Sequence, residues 1–368
     1  MIRKKFKDIE ISMLGMGNMR LPLHDHDDAS TIDKEKSQEI IDYAMAHGIN
    51  YYDTAYVYHS GKSESFLGEA LSKYPRESFY VATKFLIGAN PDYKAVFEEQ
   101  LQRLNMDYID FYLLHAVGDR SYEEYLNCGC IDYFLEQKAA GRIKYLGFSA
   151  HAKPETLEKL ASHHDWDFAQ IQLNYYDWEF SAAKEEYEIL TAKNIPVIVM
   201  EPVRGGRLAT LTEDASAHLK SVCPDRSIPS WAFRWLMGLD NVQVVLSGMS
   251  NMEQMMDNVQ TFSELAPLSN EENDALKKAL ELFYHELVVP CTACRYCVDD
   301  CPMRIDIPLV MEIYNRFRTN GDGALHRIEK IESGRKPMDC IGCGACAEHC
   351  PQNIDIPGIM EKITERLS

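Results

Sequence analysis

Between residues 10 and 260 the chain alternates two hydrophobic patterns. Short apolar, β-rich runs are separated by longer amphipathic stretches with helical spacing. The runs are SMLGMG (12–17), INYYDTA (49–55), FYVATKF (79–85), YIDFYLLH (108–115), IKYLGFSA (143–150), FAQIQLNYY (168–176), PVIVMEPV (196–203) and VQVVLSGM (242–249). Between them lie segments such as DKEKSQEIIDYAMAHG, with Gly48 placed to end a helix, and YKAVFEEQLQRLNM. Strands alternating with helices predict a parallel sheet, and eight such units favour a closed (β/α)8 barrel over an open one. No G-x-G-x-x-G turn follows the first strand, so the cue for a dinucleotide-binding open sheet is missing. MIRKKFKDIEI predicts a lid or hairpin across the N-terminal mouth.

After about residue 285 the pattern changes. Three of the eleven cysteines (Cys128, Cys130 and Cys223) precede residue 290, and the other eight follow it. Cys291, Cys294, Cys297 and Cys301 recur 49 positions later as Cys340, Cys343, Cys346 and Cys350. The match runs on from CPMRIDIPLVMEI into CPQNIDIPGIMEKI, so two copies of one structural unit are expected. The predicted division is a barrel over 1–285 and a small, mainly helical domain over 286–368, with the break in ELFYHELVVP. Each copy reads C-x2-C-x2-C-x3-C-P. Two-residue spacers let a tight loop aim three thiolates at the corners of an iron–sulfur cube, which favours [4Fe–4S] clusters. Zinc is the alternative, though structural zinc sites usually divide their thiols between two loops.

The tail resembles two-cluster bacterial ferredoxins, in their helical variant. That resemblance implies crossed ligation. One cluster would take Cys291, Cys294, Cys297 and Cys350, and the other Cys340, Cys343, Cys346 and Cys301.

Charge and composition narrow the classes. A net charge of −19 argues against nucleic-acid partners. No apolar run reaches the ~18 residues that a membrane span needs, and no apolar stretch follows the basic N-terminus as in a signal peptide. Cysteines clustered in a chain without a secretion signal point to metal or redox chemistry in the cytoplasm rather than to disulfides.

In a barrel of this kind the chemistry sits at the C-terminal ends of the strands. Polar residues at those ends are Asp53 and Tyr58, Lys84, His115, Ser149 and His151, Gln172 and Asn174, and Glu201 and Arg204. A tyrosine, lysine, aspartate and histidine from successive ends form a coherent acid–base set. An ammonium beside a phenol is expected to lower its pKa, a carboxylate to orient the ammonium, and a histidine to polarise a carbonyl.

NYYDTAYVYHSGKSESFLGEAL, together with VATK and FYLLH, resembles the aldo/keto reductase family over roughly residues 8 to 262. The resemblance implies Tyr58 as acid/base, Lys84 and Asp53 tuning it, and His115 orienting the carbonyl. Tyr56 is the competing phenol, and the family spacing selects Tyr58. For a nicotinamide cofactor it implies Ser149, Gln172, Asn174 and Tyr175 at the nicotinamide end. Arg204 and Gly205 would lie at the pyrophosphate, and Gly248, Ser250, Gln254 and Asn258 at the adenosine end. GMSNMEQMMDN holds no basic residue for a 2′-phosphate, so NAD and NADP both stay open, with the balance toward NAD.

Cys128, Cys130 and Cys223 read as packing or surface thiols, and His163 and His164 as solvated. The methionines of MSNMEQMMDN read as helix packing plus nucleotide contact. The combined expectation is an oxidoreductase interconverting a small-molecule carbonyl and an alcohol, with clusters for electron transfer or structure. The alternative is a ferredoxin-linked reductase or electron-transfer subunit. An external ferredoxin or flavoprotein would then be its electron partner, and a flavin could join one- and two-electron chemistry, although no motif for one is visible.

Overall fold

The computed structural model describes residues 1–284, 289–320 and 322–367. They form two compact units, Met1–Pro202 with Ser230–Leu268, and Val203–Pro229 with Ser269–Ser368. The expected break between residues 285 and 286 lies outside the described residues.

The first unit opens with an antiparallel hairpin, β1 (Arg3–Phe6) and β2 (Ile9–Ser12). Eight parallel strands follow: β3 (Leu14–Gly17), β4 (Tyr51–Asp53), β5 (Tyr80–Phe85), β6 (Ile109–Val117), β7 (Ile143–Ala150), β8 (Phe168–Gln172), β9 (Val197–Met200) and β10 (Val242–Ser247). Because β10 pairs with both β3 and β9, the sheet closes on itself. This is the (β/α)8 architecture that the alternating pattern predicts.

Parallel strands covered by helices are buried on both faces, and β6 shows this in a run of seven buried residues from Ile109 to His115. The hairpin turns Phe6 and Ile11 into the barrel interior beside Tyr51, Phe111, Tyr145, Phe168, Ile198 and Val244. Phe6 packs 5.0 Å from the ring of Tyr145 and 5.3 Å from that of Phe111. One mouth is thereby filled with aromatic side chains, which leaves the other for chemistry.

Caps fix the helices between the strands. Asp33 and Asp92 accept the backbone N–H of Lys36 and Ala95 at the starts of helices Lys34–Ala46 and Tyr93–Leu104. Helix Lys34–Ala46 closes at His47, and Gly48 takes the left-handed backbone (φ +85°) that follows such an end. The run FAQIQLNYY is not strand throughout. β8 stops at Gln172, and the Asn174 side chain caps a helix at Tyr175–Phe180 by accepting the Asp177 N–H.

In the second unit the 49-residue repeat is carried into the backbone. Helices Ile307–Asn320 and Ile356–Leu367 each begin within an IDIP sequence. Arg304 and Asn353 share a left-handed conformation, with φ +52° and +51°. Ala293 and Arg295 adopt the left-handed conformations of Gly342 and Gly344. Buried Ile305, Ile307, Ile354, Ile356, Val310 and Met360 form part of the shared core. Helices Glu213–Val222 and Asn270–Tyr284 pack together in the same unit.

Candidate active site and cysteine centres

Strand ends bring the four expected acid–base residues of the first unit together. Asp53 ends β4, Lys84 lies near the end of β5, and His115 lies near the end of β6, all three buried. Tyr58 follows β4 on the loop to helix Ser63–Leu71. Lys84 Nζ donates to Asp53 Oδ1 at 2.6 Å, to the Thr54 carbonyl at 2.6 Å and to the Tyr58 hydroxyl at 3.5 Å. All three ammonium protons thus have acceptors. The ring of His115 stands edge-on to that of Tyr58, with centroids 5.9 Å apart. Tyr56 is drawn away and donates its hydroxyl to Glu99 at 2.8 Å.

The electrostatics differ from the expected lowered phenol pKa. Burial, with Asp53 and Glu201 nearby, holds the Tyr58 hydroxyl well above the usual phenol range, and Arg20 opposes them. The phenol therefore keeps its proton at neutral pH. Burial, Lys84 and His151 push His115 well below the usual imidazole range, so its ring is neutral. Burial alone lowers His151 to about 4. Among the described residues, His115 Nδ1 and Asp53 Oδ2 are buried without a hydrogen-bond partner. Such orphaned atoms suit a site that completes its bonding with a ligand.

The helix after the site supports this arrangement. Glu64 is fully buried, accepts from Thr83, Gln100 and Arg103, and acts electrostatically on Lys84. A Cβ on Gly68 would lie 2.3 Å from the Leu104 carbonyl, so only glycine lets the two helices approach here.

The residues expected at a nucleotide divide between the units. Ser149 is buried on β7, and its Oγ accepts the N–H of Ala116, next to His115. Gln172 and Asn174 both donate to Asp177 Oδ2 at 2.7 Å, and Asn174 also donates to the Glu201 carbonyl. Tyr175 is buried beside them in sequence. Beyond β10, Ser250 Oγ donates to the Arg20 carbonyl, the Ser250 N–H donates to Gln254, and Asn258 donates to Ser247. Arg204 and Gly205 belong to the second unit.

Arg20 escaped sequence reasoning. It lies just past β3, where its side chain would meet a Cβ placed on Gly248, and its guanidinium is 4.0 Å from Glu201. Its place beyond a barrel strand end was the available signal.

The eight clustered cysteines line two cavities of the second unit. Cys291, Cys294, Cys297 and Cys350 surround one. Cys301, Cys340, Cys343 and Cys346 surround the other. Each motif thus contributes three cysteines to one cavity and its last to the other. Burial and the neighbouring cysteines push Cys346 up to about 11 and Cys297 higher still. Thiolates crowded in this way suit a cationic iron core.

The sequence matches the model of the aldo/keto reductase family over residues 13–281 and that of the 4Fe-4S dicluster domain over residues 290–354. It is 26% identical to the uncharacterized oxidoreductase YqkF of Bacillus subtilis (strain 168), with 73% of this chain and 93% of that protein covered. It is also 26% identical to the NADH-specific methylglyoxal reductase of Escherichia coli (strain K12), with 68% of this chain and 90% of that one covered. Among solved structures it resembles the holo form of aldo-keto reductase AKR11C1 from Bacillus halodurans. There the TM-score is 0.61 at 28% identity, covering 76% of this chain and 96% of that one. The barrel, the ordered strand-end residues and these matches lead to one conclusion: the chain belongs to the aldo/keto reductase family of oxidoreductases and carries an iron–sulfur dicluster domain.

Proposed function

We propose that the barrel reduces a small-molecule carbonyl to an alcohol, reversibly, with Tyr58 as the proton donor. The observation that carries this reading is the contact chain from Asp53 through Lys84 to the Tyr58 hydroxyl, with His115 edge-on to the same ring. A nicotinamide, where bound at the strand ends, would supply the hydride for the carbonyl carbon. Tyr58 releases its proton to the carbonyl oxygen as negative charge develops there. Neutral His115 holds that oxygen by a hydrogen bond, and Lys84 stabilises the phenolate left behind. Ser149, Gln172, Asn174 and Tyr175 would hold the nicotinamide end, and Gly248, Ser250, Gln254 and Asn258 the adenosine end. NADH is the preferred donor in this reading. Residues Gly248 to Asn258 hold no basic side chain, and the nearby Arg20 pairs with Glu201. The name of the E. coli relative is in keeping with that choice.

The two cysteine cavities would each hold one [4Fe–4S] cluster, ligated crosswise, and each cluster carries single electrons. Ile307 and Ile356 line both cavities, which sets the two sites side by side. That adjacency favours a second reading, in which an external ferredoxin or flavoprotein exchanges electrons with the domain. Eight thiols kept for metal call for a reducing compartment, consistent with the cytoplasm. No helix among the described residues is long and apolar enough to cross a membrane.

Carbonyl-dependent oxidation of NADH by the wild type and by Tyr58→Phe tests the first reading. The variant is expected to lose on the order of 10²–10⁴-fold in turnover while binding NADH with the same affinity. Equal turnover by the two proteins would reject Tyr58 as the proton donor.

A further inference from the structure

The two cysteine cavities are built from a repeat, yet their walls differ where the copies should match. The first is lined by Thr292, Arg295 and Gln352. At the positions related by the 49-residue offset, the second is lined by Ile341, Gly344 and Met303. The first set of residues is polar and the second apolar, although Arg295 is exposed and pairs with Asp306. A further element adds to the contrast. Arg204 and Gly205, which the family resemblance assigns to a pyrophosphate, fold within the cysteine unit. Arg204 is 3% exposed, and its Nη2 donates to Gln352 Oε1 at 3.1 Å. Gly205, at φ +66°, approaches so closely that a Cβ would lie 1.9 Å from the Thr292 carbonyl, next to Cys291. Arg207 follows on the same turn, its N–H donating to the Arg204 carbonyl at 3.2 Å.

We infer that Arg204, with Arg207, is an electrostatic positioning residue for the cluster held by Cys291, Cys294, Cys297 and Cys350, and that the two clusters consequently have unequal reduction potentials. This rests on the reading that both cavities hold clusters. A reduced cluster carries one more negative charge than an oxidised one. A buried guanidinium beside it favours the reduced form and raises its potential, whereas among the described residues no arginine or lysine lines the second cavity. The first cluster is thus the stronger electron acceptor of the pair.

The test is a redox titration of the anaerobically purified full chain, followed by electron paramagnetic resonance, with iron and acid-labile sulfide measured on every sample. The wild type is expected to show two separate potentials. Arg204→Met should move the more positive one in the negative direction and leave the other in place, and Arg204→Lys should keep most of the wild-type value. Arg207→Met, at a half-buried position, should give a smaller shift of the same sign and carries the test if Arg204→Met loses its first cluster. Metal content short of two clusters in the wild type would remove both the dicluster reading and this inference. Two intact clusters with potentials unmoved in both methionine variants, or moved equally, would overturn the inference alone.

Discussion

Lys84 has no water-facing surface, and its charge is maintained by three oxygen acceptors. Burial draws its pKa down and Asp53 opposes that, so the pair acts as one unit. The sign of the pH dependence follows from its neighbours. Tyr58 is held well above the usual phenol range, so its proton-donating form persists as pH rises. His115 is held well below the imidazole range, so it stays neutral as pH falls. Neither Tyr58 nor His115 is therefore expected to put an inflection on the chemical step of carbonyl reduction between their usual values, about pH 6.5 and about pH 10. Single-turnover rates across that window would check this, and an inflection abolished by His115→Asn would contradict it. Tyr58, Asp53, Lys84 and His115 were legible because each stands at a strand end with a family-specific spacing. The direction of the Tyr58 shift was not, because it depends on how much water the fold removes and on Glu201, 143 positions away in sequence.

At the scale of elements, the strands were legible from apolar runs and the helix starts from Asp33 and Asp92. The end of β8 was misjudged because LNYY has strong strand propensity, yet Asn174 offers a cap that begins a helix instead. Glycine at 68 is decisive for packing between helices Ser63–Leu71 and Tyr93–Leu104. Gly68→Ala must displace the Leu104 carbonyl and is expected to cost about 1–3 kcal/mol, read from denaturant unfolding with an unchanged m-value. A loss under about 0.5 kcal/mol would mean that the helices part freely. In the cysteine loops, Ala293 occupies a left-handed position that its repeat partner fills with Gly342. Ala293→Gly is expected to stabilise the loaded domain by roughly 1 kcal/mol, seen as a higher midpoint of thermal loss of the cluster absorbance. A lower midpoint would show that the backbone there is not strained.

For the molecule as a whole, the repeat and its thiols were plain in the sequence, whereas the interleaving of the chain was not. Residues 203–229 join the cysteine unit although they lie between β9 and β10 in sequence, and Arg204 meets Gln352 across 148 positions. The crossed ligation proposed above has its own consequence: Cys350→Ser should degrade the cluster that the first motif builds, and Cys301→Ser the one that the second motif builds. Iron content and resonance spectra of the two variants should therefore complement each other, and loss of the same signal in both would refute the crossing. Isotope transfer distinguishes hydride passing in the barrel from electrons passing through the clusters. NADH carrying deuterium at the transferable C4 position would be used to reduce a carbonyl substrate under anaerobic conditions. One deuterium on the alcohol carbon of the product is the expected result, and alcohol formed without label would show that its hydrogen does not come from NADH in the barrel.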